Sequence, residues 1–162
     1  MSYSQPNYIF LDIDGVLNNH NPLENNTCGI NKENIAALNL IMDECDPFII
    51  LSSAWRSLIA KKDLSLRGFE IMLQTHGLKC FNKLVSHTRF QMFQDNREEE
   101  ILECVLDNDI KNYVILDDLP LDFTNLNIPA YRFIKTDPHL GLTIEDVQKA
   151  ISVFKEPPNE AI

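Results

Sequence analysis

The sequence has little positive charge and no long hydrophobic stretch. Its 162 residues include 14 Lys and Arg against 24 Asp and Glu, which gives a formal net charge of −10. This balance disfavours a general polyanion-binding surface, because phosphate backbones are held by clustered basic side chains. An excess of carboxylates instead suits a divalent cation. The apolar runs are too short to cross a bilayer, so no membrane association is expected.

Signals for zinc binding, redox chemistry and secretion are also missing. The four cysteines form no Cys-x-x-Cys pair, which disfavours a zinc ribbon and a thioredoxin-type site. We expect incidental thiols in a reducing compartment. The first residues contain no basic region followed by an apolar stretch, so no Sec signal is indicated and a cytoplasmic protein is expected.

Short apolar runs alternate with helical patterns along the chain. Residues 8–11, 48–51 and 113–116 read as strands buried on both faces, with a fourth candidate at 130–134. Helical periodicity covers 32–44, parts of 58–74, 97–106 and the residues after Thr143, a good N-cap. This order predicts a single α/β domain over residues 1–155, a Rossmann-like parallel sheet with helices on both faces. Residues 156–162 are expected to form a flexible tail.

Polar residues directly follow three of the predicted strands. Asp12, Ser52 and Asp117 each stand where a strand ends. In parallel α/β sheets ligands bind beyond the carboxyl ends of the strands. We therefore expect these distant positions to converge at one edge of the sheet.

The segment Asp12-Ile-Asp14-Gly15 has the residue types needed for phosphoryl transfer. A carboxylate at Asp12 can attack phosphorus as a nucleophile, and Asp14 can serve as acid and then base. Gly15 permits the turn that brings both carboxylates to one site. An Asx turn without catalysis is the alternative for this segment alone.

Residues after the second and third strands complete a candidate phosphate and metal site. Ser52 and Ser53 can bind phosphate oxygens through hydroxyl and backbone N–H groups, although helix capping is their common role. Arg56 offers a bidentate donor, with a surface salt bridge as the alternative. Asp117 and Asp118, with Asp12 and the backbone carbonyl of Asp14, would form a hard oxygen site for Mg²⁺. Asp122 is a further acid in this loop.

These motifs together resemble the haloacid dehalogenase-like (HAD) superfamily of phosphatases. The resemblance implies Asp12 as nucleophile, Asp14 as acid/base, Ser52 as phosphate ligand, and Asp117 and Asp118 as the acidic motif. Arg97 occupies the place of the basic residue that neutralises the phosphate. A closer resemblance is to the HAD domains associated with RNA-repair proteins. It is carried by the runs Ile-Asp-Gly-Val-Leu-Asn, Ser-Ser-Ala-Trp-Arg and Arg-Glu-Glu-Glu-Ile. That group usually has an acid where this chain has Ala54.

Several assignments stay open at this point. Arg56 or Lys135 could neutralise the phosphate in place of Arg97, whose rival role is a local ion pair on its helix. Which of the acids 117, 118 and 122 would bind the metal directly is also open. His139 is a candidate substrate contact, and Trp55 is expected to pack.

The expected function is a Mg²⁺-dependent phosphomonoesterase working through an aspartyl-phosphate. The intervals 18–47 and 57–96 are too short for a large cap domain, so an open site is expected, able to accept a bulky phosphoester. A nucleic-acid end phosphatase is one alternative, which the net charge does not favour unless basic residues form a rim. The other is a non-catalytic binding or regulatory module of the same fold.

Overall fold

Parallel strands form the centre of the structure. The computed structural model describes residues 5–19, 29–90 and 96–156. The strands pair in the order β3–β2–β1–β4–β5, and every pair is parallel. Their bounds are β1 (Asn7–Leu11), β2 (Phe48–Leu51), β3 (Leu84–His87), β4 (Asn112–Asp117) and β5 (Phe133–Lys135). The predicted α/β architecture is therefore confirmed.

Helices connect the strands. They are α1 (Lys32–Cys45), α2 (Arg56–Ala60), α3 (Leu66–Thr75), α4 (Arg97–Asp107) and α5 (Ile144–Lys155). Thr143 caps α5 as predicted, since its hydroxyl accepts from the Asp146 N–H and its own N–H donates to the Asp146 carboxylate. Such a reciprocal capping box satisfies two backbone donors that the helix itself leaves unpaired.

The hydrophobic core lies on both faces of the sheet. Successive strand side chains point to opposite faces. In β1, Ile9 and Leu11 pack with α1, α3 and α5, whereas Phe10 packs on the other face with Ile101 of α4. Burial on both faces explains why the central strands read as continuous apolar runs.

Two strands differ from the sequence-based expectation. Strand β3 was not predicted, because it lies at the sheet edge and only Leu84 of its four residues is buried. The predicted strand at 130–134 begins only at Phe133, since residues Ala130–Arg132 form a 3₁₀ turn. Arg132 is buried there, with its guanidinium 4.5 Å from the Tyr113 ring and donating to the Tyr113 carbonyl.

The described residues contain no separate cap domain. Between β2 and α4 the described residues form only α2, α3 and the edge strand β3. Residues 20–28 and the tail beyond Glu156 lie outside the described residues, so the flexible tail stays a prediction. In the part of the chain that is described, no helix combines the length and apolar character that a membrane crossing requires.

Candidate active site

The carboxyl ends of the central strands bring the candidate residues together. Two backbone hydrogen bonds continue the parallel pairing past the strand ends. The Asp12 N–H donates to the Leu116 carbonyl at 3.0 Å, and the Ser52 N–H donates to the Leu11 carbonyl at 2.8 Å. Asp117 ends the adjacent strand β4. Asp12, Ser52 and Asp117 therefore lie side by side at the carboxyl edge of the sheet, where the parallel strands end.

Three carboxylates form a tight cluster at this edge. Oxygens of Asp12, Asp117 and Asp118 all lie within 4.8 Å of one another. Asp12 is 4% exposed and Asp117 only 1%. Gly15 makes room for the third acid, because a Cβ atom there would lie 2.5 Å from the Asp118 carboxyl carbon, and its φ of +73° also favours glycine.

Burial and mutual repulsion make the cluster electrostatically unfavourable. Loss of solvation and the nearby Asp117 raise the pKa of Asp12 from 3.8 to about 7, although Arg97 and hydrogen bonds from Ser53 and Ile13 oppose this. Burial likewise raises the pKa of Asp117, against the opposing effect of Arg97. One arginine does not offset this concentration of negative charge, so the cluster favours an additional cation.

Arg97, the first residue of α4, contacts the acidic cluster directly. Its Nη1 atom lies 2.7 Å from Asp117 Oδ2 and 3.3 Å from Asp12 Oδ2. Glu100, an acid on the same helix that was considered as its rival partner, pairs with Arg56. The position of Arg97 fits the predicted neutralising role, and its binding of phosphate stays a prediction.

Arg56 is buried and connects the loop after β2 to α4. Its Nη1 donates to the Ser53 carbonyl and its Nη2 to Glu100 Oε2, both at 2.7 Å. The surface salt bridge considered from the sequence is thus replaced by a buried one, with Arg56 only 2% exposed. These contacts brace the candidate phosphate-binding loop against the helix that carries Arg97. Phosphate binding by Arg56 itself stays a prediction.

The Ser52 hydroxyl is a buried polar group with no hydrogen-bond partner among the described residues. An unsatisfied buried hydroxyl costs about 1–3 kcal/mol, so its retention next to Asp12 favours a ligand role. Thr88 has the same property at the end of β3, where its N–H donates to the Leu51 carbonyl. Thr88 was not among the predicted site residues, because β3 was not predicted from the sequence.

The remaining predicted residues lie outside the cluster. The Asp14 carboxylate is not part of the cluster and accepts hydrogen bonds from Asn18 and Trp55. A metal contact through the Asp14 backbone carbonyl stays a prediction. Asp122 is exposed and bonds Thr124. Lys135 and His139 are exposed as well, and so is Ala54. The cluster is therefore built from Asp12, Asp117 and Asp118.

A family comparison agrees with this arrangement. The model of the HAD domain in Swiss Army Knife RNA repair proteins matches residues 8–147. The chain belongs to this HAD family. Searches among curated proteins and among solved structures gave no match. The matched range spans every residue of the acidic cluster, so the HAD assignment and the site geometry concern the same part of the chain.

The donor set of this HAD domain fits Mg²⁺. Magnesium prefers hard oxygen ligands and commonly takes one or two carboxylates together with phosphate oxygens. Asp12, Asp117 and Asp118 supply such oxygens, and the described cluster includes neither sulfur nor imidazole. The unfavourable burial of Asp12 and Asp117 is what a bound divalent cation would relieve.

Asp12→Asn should stabilise the metal-free protein at alkaline pH. Because the pKa of Asp12 is raised to about 7, the folded state keeps a proton that the unfolded chain releases above about pH 4. Wild-type stability should therefore fall between pH 4 and pH 7, and asparagine removes that loss. We expect a gain on the order of 1–4 kcal/mol at pH 8 and little difference near pH 4, measured by urea unfolding in EDTA. The exposed Asp43→Asn is the control, and equal stabilities of wild type and Asp12→Asn at pH 8 would contradict the account.

Glu100→Gln should destabilise the fold far more than Glu103→Gln. Glutamine at 100 leaves the buried Arg56 facing a neutral group, at an expected cost of about 3–5 kcal/mol. Glu103 lies on the same helix but pairs with Arg89 at 3.1 Å in a half-exposed bridge, which predicts less than about 1 kcal/mol. Chemical denaturation midpoints measure both. Similar shifts for the two variants would contradict a stabilising role of the buried Arg56–Glu100 pair.

Proposed function

We propose that this HAD domain is a Mg²⁺-dependent phosphomonoester hydrolase that acts through an aspartyl-phosphate on Asp12. The observation that carries the proposal is the cluster of Asp12, Asp117 and Asp118, in which the first two acids are buried and contact Arg97. Membership of the HAD family supports a phosphatase in general terms. The nucleophile, the metal and the substrate are the proposed part.

The proposed reaction has two displacement steps at phosphorus. In the first, an Asp12 carboxylate oxygen bonds to phosphorus while the ester P–O bond breaks, and Asp14 gives a proton to the departing alcohol oxygen. In the second, Asp14 takes a proton from a water molecule, whose oxygen bonds to phosphorus as the bond to Asp12 breaks. Inorganic phosphate is released and both aspartates return to their starting states.

The other residues hold the phosphoryl group. Arg97 would neutralise its oxygens, and the Ser52 hydroxyl, which has no partner in the described part of the chain, would donate to one of them. Mg²⁺, when bound by Asp12, Asp117 and Asp118, would neutralise charge on the phosphoryl oxygens and on the acids themselves. Fixed donors of this kind stabilise the transition state because they need no reorganisation during the reaction.

Release of phosphate from a chromogenic aryl phosphate tests this function. Wild-type protein should hydrolyse the ester in the presence of Mg²⁺, and the hydrolysis should stop when EDTA is added. Asp12→Asn removes the nucleophile and should lower kcat at least about a thousandfold. Asp43→Asn, an exposed change of the same chemistry on α1, should keep wild-type activity. Unchanged turnover in Asp12→Asn would exclude Asp12 as the nucleophile.

A nucleic-acid end phosphatase is the second candidate, favoured by the description of the family as a domain of RNA repair proteins. The net charge of −10 opposes it. Basic residues do concentrate in the interval between β2 and α4, at positions Lys61, Lys62, Arg67, Lys79, Lys83 and Arg89. The intact acids Asp12, Asp14 and Asp117 argue against the remaining alternative, a non-catalytic module.

Substrate comparison separates the two phosphatase candidates. An end phosphatase should cleave a 3′-phosphorylated oligonucleotide with kcat/KM at least about tenfold above that for a 3′-mononucleotide, and the advantage should shrink with added salt. Equal kcat/KM values for the two substrates would favour a small phosphoester instead. The Asp12→Asn protein is the blank for both reactions.

A further inference from the structure

Trp55 donates a hydrogen bond to the candidate acid/base. Its indole Nε1 lies 2.9 Å from Asp14 Oδ2, although the two residues are 41 positions apart in the chain. The side chain is half-buried, and its ring meets Phe69 edge-on with 6.2 Å between centroids. This packing fixes the plane of the indole, and so the direction in which its N–H points.

Asn18 holds the other oxygen of the same carboxylate. Its Nδ2 donates to Asp14 Oδ1 at 2.8 Å, while its Oδ1 accepts from the Gly15 N–H at 2.8 Å. Asn18 is 1% exposed, so its amide is itself fixed. Asp14 therefore has one donor on each oxygen, and the two donors come from different loops at the carboxyl edge of the sheet.

The Trp55 contact links the acid/base to the candidate phosphate-binding loop. The backbone N–H of Trp55 lies 3.4 Å from the Ser53 hydroxyl oxygen, and Ser53 also hydrogen-bonds Asp12. The short segment from Ser53 to Trp55 thus contacts both the candidate nucleophile and the candidate acid/base. A side chain that served only for packing would not need its N–H aimed at this carboxylate.

We propose that Trp55 is a positioning residue, which holds Asp14 in the orientation needed to give and take a proton. The inference rests on the proposed function, since it assigns Asp14 the acid/base role. Without the indole N–H, the Oδ2 end of Asp14 loses a fixed donor and the carboxylate can rotate about its side-chain bonds. Proton transfer then requires a less populated orientation, while the groups that bind the phosphate are unchanged.

Kinetics of Trp55 variants test the proposal. Trp55→Phe keeps an aromatic ring against Phe69 but has no N–H, and should lower kcat about tenfold with KM within about twofold of wild type. Trp55 is the only tryptophan, so replacing tryptophan by benzothienylalanine changes just this N–H to sulfur. The benzothienyl protein should lose kcat to a similar extent. Full kcat in that protein would overturn the proposal, whatever the phenylalanine variant does.

The indole NMR signal tests the contact without reference to activity or metal. A ¹⁵N-labelled sample has a single indole N–H resonance, which a carboxylate acceptor moves downfield and protects from exchange. Asp14→Ala should move it upfield and speed its exchange with water, whereas Asp43→Ala should leave it unchanged. An unchanged signal in Asp14→Ala would overturn the proposal. Wild-type protein without phosphatase activity would refute the proposed function. An active enzyme whose kcat does not change when the indole N–H is removed would refute only this inference.

Discussion

Repulsion among buried carboxylates is the constraint on which the site depends. Asp12 and Asp117 are almost fully buried at adjacent strand ends, and burial together with their proximity raises the pKa of Asp12 to about 7. Arg97 opposes this repulsion from the start of α4. Such an arrangement costs stability in the isolated protein, and sites of this kind are retained where charge is needed for function.

The parallel sheet creates this proximity, and a second layer of contacts maintains it. Backbone hydrogen bonds carry the register one residue beyond the strands, which places Asp12 beside both Ser52 and Asp117. The buried Arg56–Glu100 pair then ties the loop after β2 to the helix of Arg97. Breaking a buried pair leaves an uncompensated charge, so these braces set the relative positions of the acids, the hydroxyl and the arginine.

The sequence predicted the parts of this HAD domain that depend on local pattern. Doubly buried strands appear as apolar runs, and the acids at their ends follow from the geometry of parallel sheets. Strand β3 escaped prediction because an edge strand needs little apolar sequence. The partners of Arg56 and Trp55 were also unpredictable, since Glu100 and Asp14 lie 44 and 41 positions away. Such contacts depend on how the loops pack together, which no spacing rule describes.

A crystal structure with Mg²⁺ and beryllofluoride, a mimic of an aspartyl-phosphate, tests the central claim most directly. We expect beryllium bonded to a carboxylate oxygen of Asp12, with Mg²⁺ held by Asp12 and by Asp117 or Asp118. Arg97 or Ser52 should contact the fluorides. Beryllofluoride on another residue, or a metal held away from the three acids, would contradict the account.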